Sequence, residues 1–392
     1  MESAGRKAAA ADTLTSPTPS QANGFSVSCR LAISVVVLLS AALLDIRAIH
    51  AAPAEPFEEQ IAPYLAPQQL VPIAKGRAIN LVCLGQGSPT VILTAGLSHW
   101  SVWWWQVQRP LALRTRVCTW DPAGYGFSTP SAQPQDVVHA AEDLEQTLKV
   151  AGIQGPYVMV GSSLGGHHTL RFTDLHRQRV VGMVLVDPSI PDQIELFKRF
   201  SPKVAAIEEL LTAQAVKRLR DCAAGLQNGT LKRGTPQFEQ CIAYRSFPPF
   251  FSRVTEAMER LNANPARLLT QASLQERFAL VPDDSRQVIN PRRHYGDLPL
   301  IVLTGGRDTI TVPPGTPGAS TPDELAEFNK QVAQFLQDAW VPAHHAYAAL
   351  STRGRHQLVA DSGHNIQVEK PEAVVAAVIE VLDEIRGGFA QP

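Results

Sequence analysis

Val158-Met159-Val160-Gly161-Ser162-Ser163-Leu164-Gly165-Gly166 reads as an apolar strand that turns at once into a helix. Gly161, Ser163 and Gly165 fit the pattern Gly-x-Ser-x-Gly. Small residues are needed on both sides because such a turn brings backbones very close. The turn also strains its apex residue and lifts that side chain clear of the sheet. A serine oxygen displayed at a helix N-terminus is a good nucleophile once a base takes its proton. Ser162 is the neighbouring alternative, but it would need small residues where Val160 and Leu164 stand. The pattern also arises by chance, so its weight depends on what accompanies it along the chain.

Upstream, Ile79 to Leu84 and Thr90 to Thr94 read as strands separated by the turn Gly85-Gln86-Gly87-Ser88-Pro89. The second ends in Ala95-Gly96-Leu97. Trp100 to Leu113, with Trp103, Trp104 and Trp105, reads as a helix. Such a tryptophan cluster belongs to a core or a pocket wall. Arg116 to Trp120 is the next strand, ending in the Gly-rich loop Asp121 to Ser128. That loop lacks the Gly-Lys-Ser/Thr of a phosphate cradle. Val137 to Val150 carries its apolar residues on one helical face. Downstream of Ser163 come a helix to Arg177 and a strand from Gly182 to Val186, ending at Asp187-Pro188.

From Ser189 to Tyr295 helical patterns replace this rhythm, broken by Phe247-Pro248-Pro249-Phe250-Phe251. Strand-helix order then resumes. Pro299 to Leu303 is a strand leading to Asp308, Pro322 to Gln337 a helix, Arg355 to Val359 a strand leading to His364, and Pro371 to Arg386 the last helix. The alternation predicts an α/β fold: a doubly wound, mostly parallel sheet with an inserted helical cap. Ligands bind such sheets beyond the carboxyl ends of the strands. Ser163, Asp308 and His364 each follow a strand end, so they can converge.

The expected organisation is residues 1–52 as a disordered n-region plus export signal or signal-anchor, 53–72 as a Pro-rich linker or covering arm, 73–188 and 296–388 as the core, and 189–295 as the cap. Leu31 to Leu44 is apolar but short for a membrane span of about 20 residues. It suits the apolar region of an export signal, and Ala51 and Ala52 are candidate cleavage positions. An uncleaved signal-anchor, attaching the chain to a membrane through residues 31–44, is the alternative. Export would leave Cys83, Cys118, Cys222 and Cys241 in an oxidising compartment. Four cysteines allow three pairings, or four buried thiols. Asn228-Gly229-Thr230 is a glycosylation sequon if the source modifies exported proteins.

The 392 residues, 45% of them hydrophobic, suffice for a large core, and the net charge of −1 gives no reason to expect nucleic acid. His167-His168 and His344-His345 are adjacent pairs, not the i, i+4 pairs that chelate a metal on a helix. No metal or organic cofactor is expected.

From about Pro72 to Gly388 the chain resembles the α/β-hydrolase fold family, closest to exported bacterial members with a helical cap. The resemblance rests on the Gly161-to-Gly165 elbow, the Asp121-to-Ser128 loop, the Gly305-to-Asp308 segment and Gly363-His364-Asn365 followed by Glu369 and Pro371. The order Ser, acid, His is the family's own. It implies Ser163 as nucleophile, His364 as base and Asp308 as acid, with Asp187 as the alternative acid, since some members take it from that strand end. It also implies backbone donors for the oxyanion at Leu97 and Leu164. The family's second and fourth strands are neighbours, which implies a Cys83–Cys118 disulfide. Cys222–Cys241 would then tie two segments of the cap. Two departures stand out: Ala95-Gly96 where the family often has His-Gly, and Asp121-Pro122 where it often has Asp-Arg.

The implied reaction is carboxylesterase-type hydrolysis through an acyl-enzyme. Trp103 to Trp105 and Phe247 to Phe251 suggest a small-molecule substrate with an apolar acyl or aromatic group. A non-catalytic binding protein on the same scaffold, a cofactor-free haloperoxidase and a peptidase for short peptides are the alternatives. Epoxide hydrolases and haloalkane dehalogenases of this fold use an Asp nucleophile, where this chain has Ser163.

Overall fold

Along β5 (Tyr157–Ser162), Tyr157 and Met159 point to one face of the sheet, and Val158 and Val160 to the other. All four are fully buried, as a central parallel strand requires. In the computed structural model the described residues are 57–243, 252–281, 286–307, 309 and 319–389. The chain divides into two units. The first, Met1–Ala54, lies outside the described residues, as does the expected export signal with it. The second, Glu55–Pro392, holds every described strand and helix.

Eight strands form one sheet: β1 (Gln69–Ala74), β2 (Arg77–Leu84), β3 (Thr90–Thr94), β4 (Val117–Trp120), β5, β6 (Val180–Val186), β7 (Leu300–Gly305) and β8 (Gly354–Val359). Their order is β1-β2-β4-β3-β5-β6-β7-β8. β1 pairs with β2, and β2 with β4, in antiparallel fashion; every other pair is parallel. Helices cover both faces. Val107 and Leu111 of helix Trp105–Ala112 pack with Val374, Val378 and Val381 of helix Pro371–Phe389 on one side. Leu144 and Leu148 of helix Val137–Val150 pack with Leu170 and Phe172 of helix Leu164–Leu175 on the other. Parallel strands need these crossover helices to return the chain.

β2 and β4 are neighbours with Cys83 opposite Cys118, and these two residues form a disulfide. A second disulfide, Cys222–Cys241, joins helix Pro202–Gln227 to helix Pro236–Ile242. Between β6 and β7 the described chain is helical throughout its regular elements, adding Gln193–Phe200, Ser252–Asn262 and Pro265–Ala279.

Two stretches differ from the sequence reading. The Pro-rich stretch 53–72 is not simply a linker: among its described residues, Phe57–Ile61 is helical, Ala62–Tyr64 is a 3-10 turn, and β1 begins at Gln69. Pro72 hid the strand, and it is tolerated because β1 lies at the sheet edge. The Tyr64 hydroxyl donates to Gln108 Oε1 at 2.6 Å, and Phe57 meets Trp105 edge-on at 5.4 Å, so this arm is fastened to the core. The helix from Pro322 ends at Phe335, close to the expected Gln337, but the chain continues without a break as a π turn over Leu336–Trp340 into helix Val341–Ala348. Pro342 sits in the first turn of helix Val341–Ala348.

Candidate active site

Ser163 stands between the end of β5 and the first turn of helix Leu164–Leu175, with φ 53° and ψ −124°. A non-glycine residue at positive φ is strained and persists only where its surroundings hold it. Here a Cβ on Gly161 would lie 2.3 Å from the Gly165 carbonyl oxygen, and a Cβ on Gly165 2.3 Å from that of Thr94. Both positions therefore exclude any side chain. The Ser163 N–H donates to the Val186 carbonyl at 3.1 Å, and its own carbonyl accepts from Ser189 N–H at 3.0 Å. These bonds clamp the turn to the chain on either side of Asp187.

Asp187, at the end of β6, also has positive φ (43°). Its carboxylate is 4% exposed and fully engaged. Oδ1 accepts from Gly305 N–H at 2.9 Å and from Trp340 Nε1–H at 3.1 Å. Oδ2 accepts from His364 Nδ1–H at 2.5 Å. Burial pushes this carboxyl up, but the hydrogen bond and charge of His364, the charge of His344 and the Gly305 N–H together bring it below its ordinary range. Desolvation likewise pulls His364 down, yet the hydrogen bond and charge of Asp187, with the charges of Glu369 and Glu208, raise it above the usual 6.5. The His364 side chain stays 47% exposed, with its Nδ1 anchored on Asp187.

The carboxylate on His364 is thus Asp187, the residue the sequence reading kept as the alternative. Asp308, favoured there, lies outside the described residues. The partners of Asp187 were not readable from sequence. Trp340 reaches it from the π turn, a rare irregularity that often marks functional positions. Behind it, His344 Nε2–H donates to the Pro188 carbonyl at 2.8 Å, while Thr304 Oγ1 lies 2.6 Å from His344 Nδ1 and 2.7 Å from His356 Nε2. Burial keeps His344 neutral, pulling it to about 4, which leaves Nδ1 to accept from Thr304.

Gly96 closes the other side of Ser163: a Cβ there would lie 3.0 Å from Ser163 Cβ and 3.5 Å from Oγ. Leu97 follows directly, and Leu164 is the first helical residue, whose N–H has no partner within the helix. Both side chains join an apolar cluster with Trp100, Trp103 and Tyr125 of the core and Met258, Leu274 and Phe278 of the cap helices. Phe247 to Phe251 lies outside the described residues. Ser189 Oγ is 3.5 Å from Ser163 Oγ, at the limit of a hydrogen bond. Asp121 orders its own loop, accepting from Phe127 N–H at 2.8 Å, Asn80 Nδ2 at 2.8 Å and Ser101 N–H at 3.0 Å. Among the described residues no cluster of three or more His, Cys, Asp or Glu could hold a metal, and no helix is long and apolar enough to cross a membrane.

Comparison with known proteins agrees with this architecture. The chain is 34% identical over 105 residues to the probable transporter efuK of Hormonema carpetanum, covering 26% of this chain and 15% of that one. It is 25% identical over 189 residues to an uncharacterized protein of Schizosaccharomyces pombe, covering 44% and 35%. The chain therefore spans well under half the length of these curated relatives. Among solved structures, the haloalkane dehalogenase DatA from Agrobacterium tumefaciens superposes with a TM-score of 0.53 at 17% identity, over 81% of this chain and 96% of that one. At that identity the likeness is one of fold alone. The model of the alpha/beta hydrolase family matches residues 91–377, from β3 into the last helix. With that match over most of its length, and with this sheet and this turn at Ser163, the chain belongs to the alpha/beta hydrolase family, whose general chemistry is hydrolysis.

Proposed function

We propose that the protein is a serine hydrolase that cleaves an ester or related acyl bond with Ser163, His364 and Asp187. The observation that carries this reading is the 2.5 Å hydrogen bond between His364 and a buried, fully engaged Asp187, whose chain neighbours Val186 and Ser189 hold the strained Ser163 turn. With Nδ1–H committed to Asp187, His364 presents Nε2 as the free base. As Ser163 Oγ attacks the substrate carbonyl carbon, Nε2 takes the hydroxyl proton. Asp187 offsets the charge that forms on the ring. The carbonyl oxygen becomes an oxyanion facing the N–H groups of Leu97 and Leu164, at the positive end of helix Leu164–Leu175. Losing one such donor typically costs about 3 kcal/mol in the transition state. His364 returns its proton to the leaving alcohol, and the acyl group remains on Ser163. Water, deprotonated by His364, then releases the acid.

The apolar wall shared by Leu97, Leu164, Trp103 and Phe278 favours a small molecule with an apolar acyl or aromatic group. The two disulfides favour an oxidising compartment, hence export or attachment outside the cytoplasm. The test is turnover of p-nitrophenyl esters from acetate to laurate. The expected result is a maximum at medium chain length that Ser163→Ala abolishes. Turnover confined to short, charged substrates would contradict the apolar group. No turnover of any ester would favour a binding protein on this scaffold, or haloperoxidase or peptidase chemistry.

A further inference from the structure

One helix face grips three consecutive residues of the chain at the end of β6. Trp340 Nε1–H donates to Asp187 Oδ1 at 3.1 Å, His344 Nε2–H to the Pro188 carbonyl at 2.8 Å, and the Tyr347 hydroxyl to the Ser189 carbonyl at 3.0 Å. Positions 340, 344 and 347 have the i, i+4, i+7 spacing that puts side chains on one side of a helix. All three are buried, with 4.9 Å between the ring centroids of Trp340 and His344 and 6.4 Å between those of His344 and Tyr347. The gripped segment is strained: Asp187 keeps φ 43°, which a non-glycine residue retains only where its surroundings impose it. Ser189 N–H in turn donates to the Ser163 carbonyl, so the same grip reaches the turn that carries the nucleophile.

The middle contact has its own support. Thr304, on β7 and fully buried, places Oγ1 2.6 Å from His344 Nδ1 and 2.7 Å from Nε2 of His356 on β8. The next residue, Gly305, donates its N–H to Asp187 Oδ1, so this hydroxyl stands one residue from a direct contact of the acid. The proton positions follow from the chemistry of the groups. A carbonyl only accepts, so His344 carries its proton on Nε2. Burial keeps the ring neutral, so Nδ1 accepts, and Thr304 must give it its single hydroxyl hydrogen. The Thr304 oxygen is then left to accept from His356 Nε2–H. The bonds therefore run one way, from His356 through Thr304 and His344 to the Pro188 carbonyl.

We propose that Thr304, His344 and Tyr347 are positioning residues for the hydrolysis: by fixing the Pro188 and Ser189 carbonyls they hold the backbone of Asp187 so that its Oδ2 meets His364 Nδ1. They act through the acid and not on the reacting atoms. This rests on the serine-hydrolase reading with Asp187 as its acid. With Trp340 as the helix's one remaining contact, the strained backbone at Asp187 would relax and the carboxylate would turn from the ring.

The test uses changes that keep shape and remove one hydroxyl: Thr304→Val and Tyr347→Phe, with Thr304→Ser as the conservative control, all in the full chain. For each, kcat and KM on p-nitrophenyl butyrate are measured well below the melting temperature, with the pH midpoint of the acid limb of kcat and thermal unfolding. Thr304→Val and Tyr347→Phe should each lower kcat roughly three- to tenfold, change KM by less than about twofold, and move the midpoint down toward the ordinary histidine value as the Asp187–His364 bond loosens. Thr304→Ser restores the hydroxyl and should stay within about twofold of wild type in kcat. A folded Thr304→Val or Tyr347→Phe with a lower melting temperature but unmoved kcat and midpoint has lost packing alone, and overturns the proposal. A loss in Thr304→Ser as large as that in Thr304→Val overturns it too. If Thr304→Val does not fold, Tyr347→Phe decides by the same readouts. Asp187→Asn, measured beside them, separates the two levels. If it abolishes activity while Thr304→Val and Tyr347→Phe leave kcat and midpoint unmoved, only the positioning role fails. If Asp187→Asn keeps wild-type kcat, the acid lies elsewhere and this inference falls with the reading it rests on.

Discussion

Replacing Asp187 by Asn tests the site by changing one atom. Oδ1 of Asp187 receives two N–H groups, from Gly305 and Trp340, while Oδ2 receives His364 Nδ1–H. In Asp187→Asn the amide has one orientation that satisfies Gly305 and Trp340: its oxygen must take the Oδ1 position. The NH2 group then faces His364, where a donor already points. The imidazole can resolve that conflict only by moving its proton to Nε2, and a protonated Nε2 cannot accept the Ser163 proton. A wrong tautomer of this kind lowers kcat by about 10^4 in the serine protease case, which corresponds to ~5.5 kcal/mol of barrier. The assay is kcat and KM on p-nitrophenyl butyrate for Asp187→Asn and Asp308→Asn, with thermal unfolding of each. The expected outcome is a loss near four decades in kcat for Asp187→Asn with a folded protein, and a change within about threefold for Asp308→Asn. The reverse pattern would refute the assignment of the acid to Asp187.

Further outcomes rest on the same contacts. Because Asp187 raises His364 above its usual 6.5, the acid limb of kcat/KM should have its midpoint above 6.5, with activity rising as the ring loses its proton; a midpoint below 6.5 would contradict the pairing. Trp340→Phe removes one donor from Asp187 Oδ1, and should lower kcat roughly three- to tenfold and move that midpoint, whereas a change in KM alone would argue for a packing role. Stability should fall on the acid side of neutrality. His167 is pulled to about 3, and His168 and His344 to about 4, chiefly by burial, so the unfolded chain takes up protons near pH 6.5 that the folded chain refuses until lower pH. Each such ring loses on the order of 1 kcal/mol per pH unit below 6.5, while His364, raised in the folded state, opposes the trend. Equal urea midpoints at pH 7.5 and 5.5 would count against it. Gly165→Ala should cost about 3 kcal/mol or more, or fail to fold, since its Cβ would meet the Thr94 carbonyl oxygen at 2.3 Å; a near-native melting temperature would show the turn to be looser than described.

Much of this architecture was legible because parallel strands buried on both faces leave long apolar runs. Thr90–Thr94 and the helix Val137–Val150 have the bounds their patterns predict. Ser163 was legible for a different reason: glycines flank it where no side chain fits. The acid was not. Asp187 and Asp308 both follow strand ends, and the choice depends on which strand end meets His364, a matter of sheet order and loop shape. Trp340 and His344 left no local signal, because their roles depend on a π turn that pattern reading does not resolve. β1 was missed because Pro72 disguises an edge strand.

The most direct test of the central claim is labelling of the purified protein by a fluorophosphonate probe, with peptide mapping, in wild type, Ser163→Ala and His364→Ala. The probe needs an activated serine and an oxyanion site but little knowledge of substrate. Modification of wild type at Ser163, absent in Ser163→Ala and strongly slowed in His364→Ala, is the predicted result. A folded wild type that does not label, or labels at another serine, would contradict it.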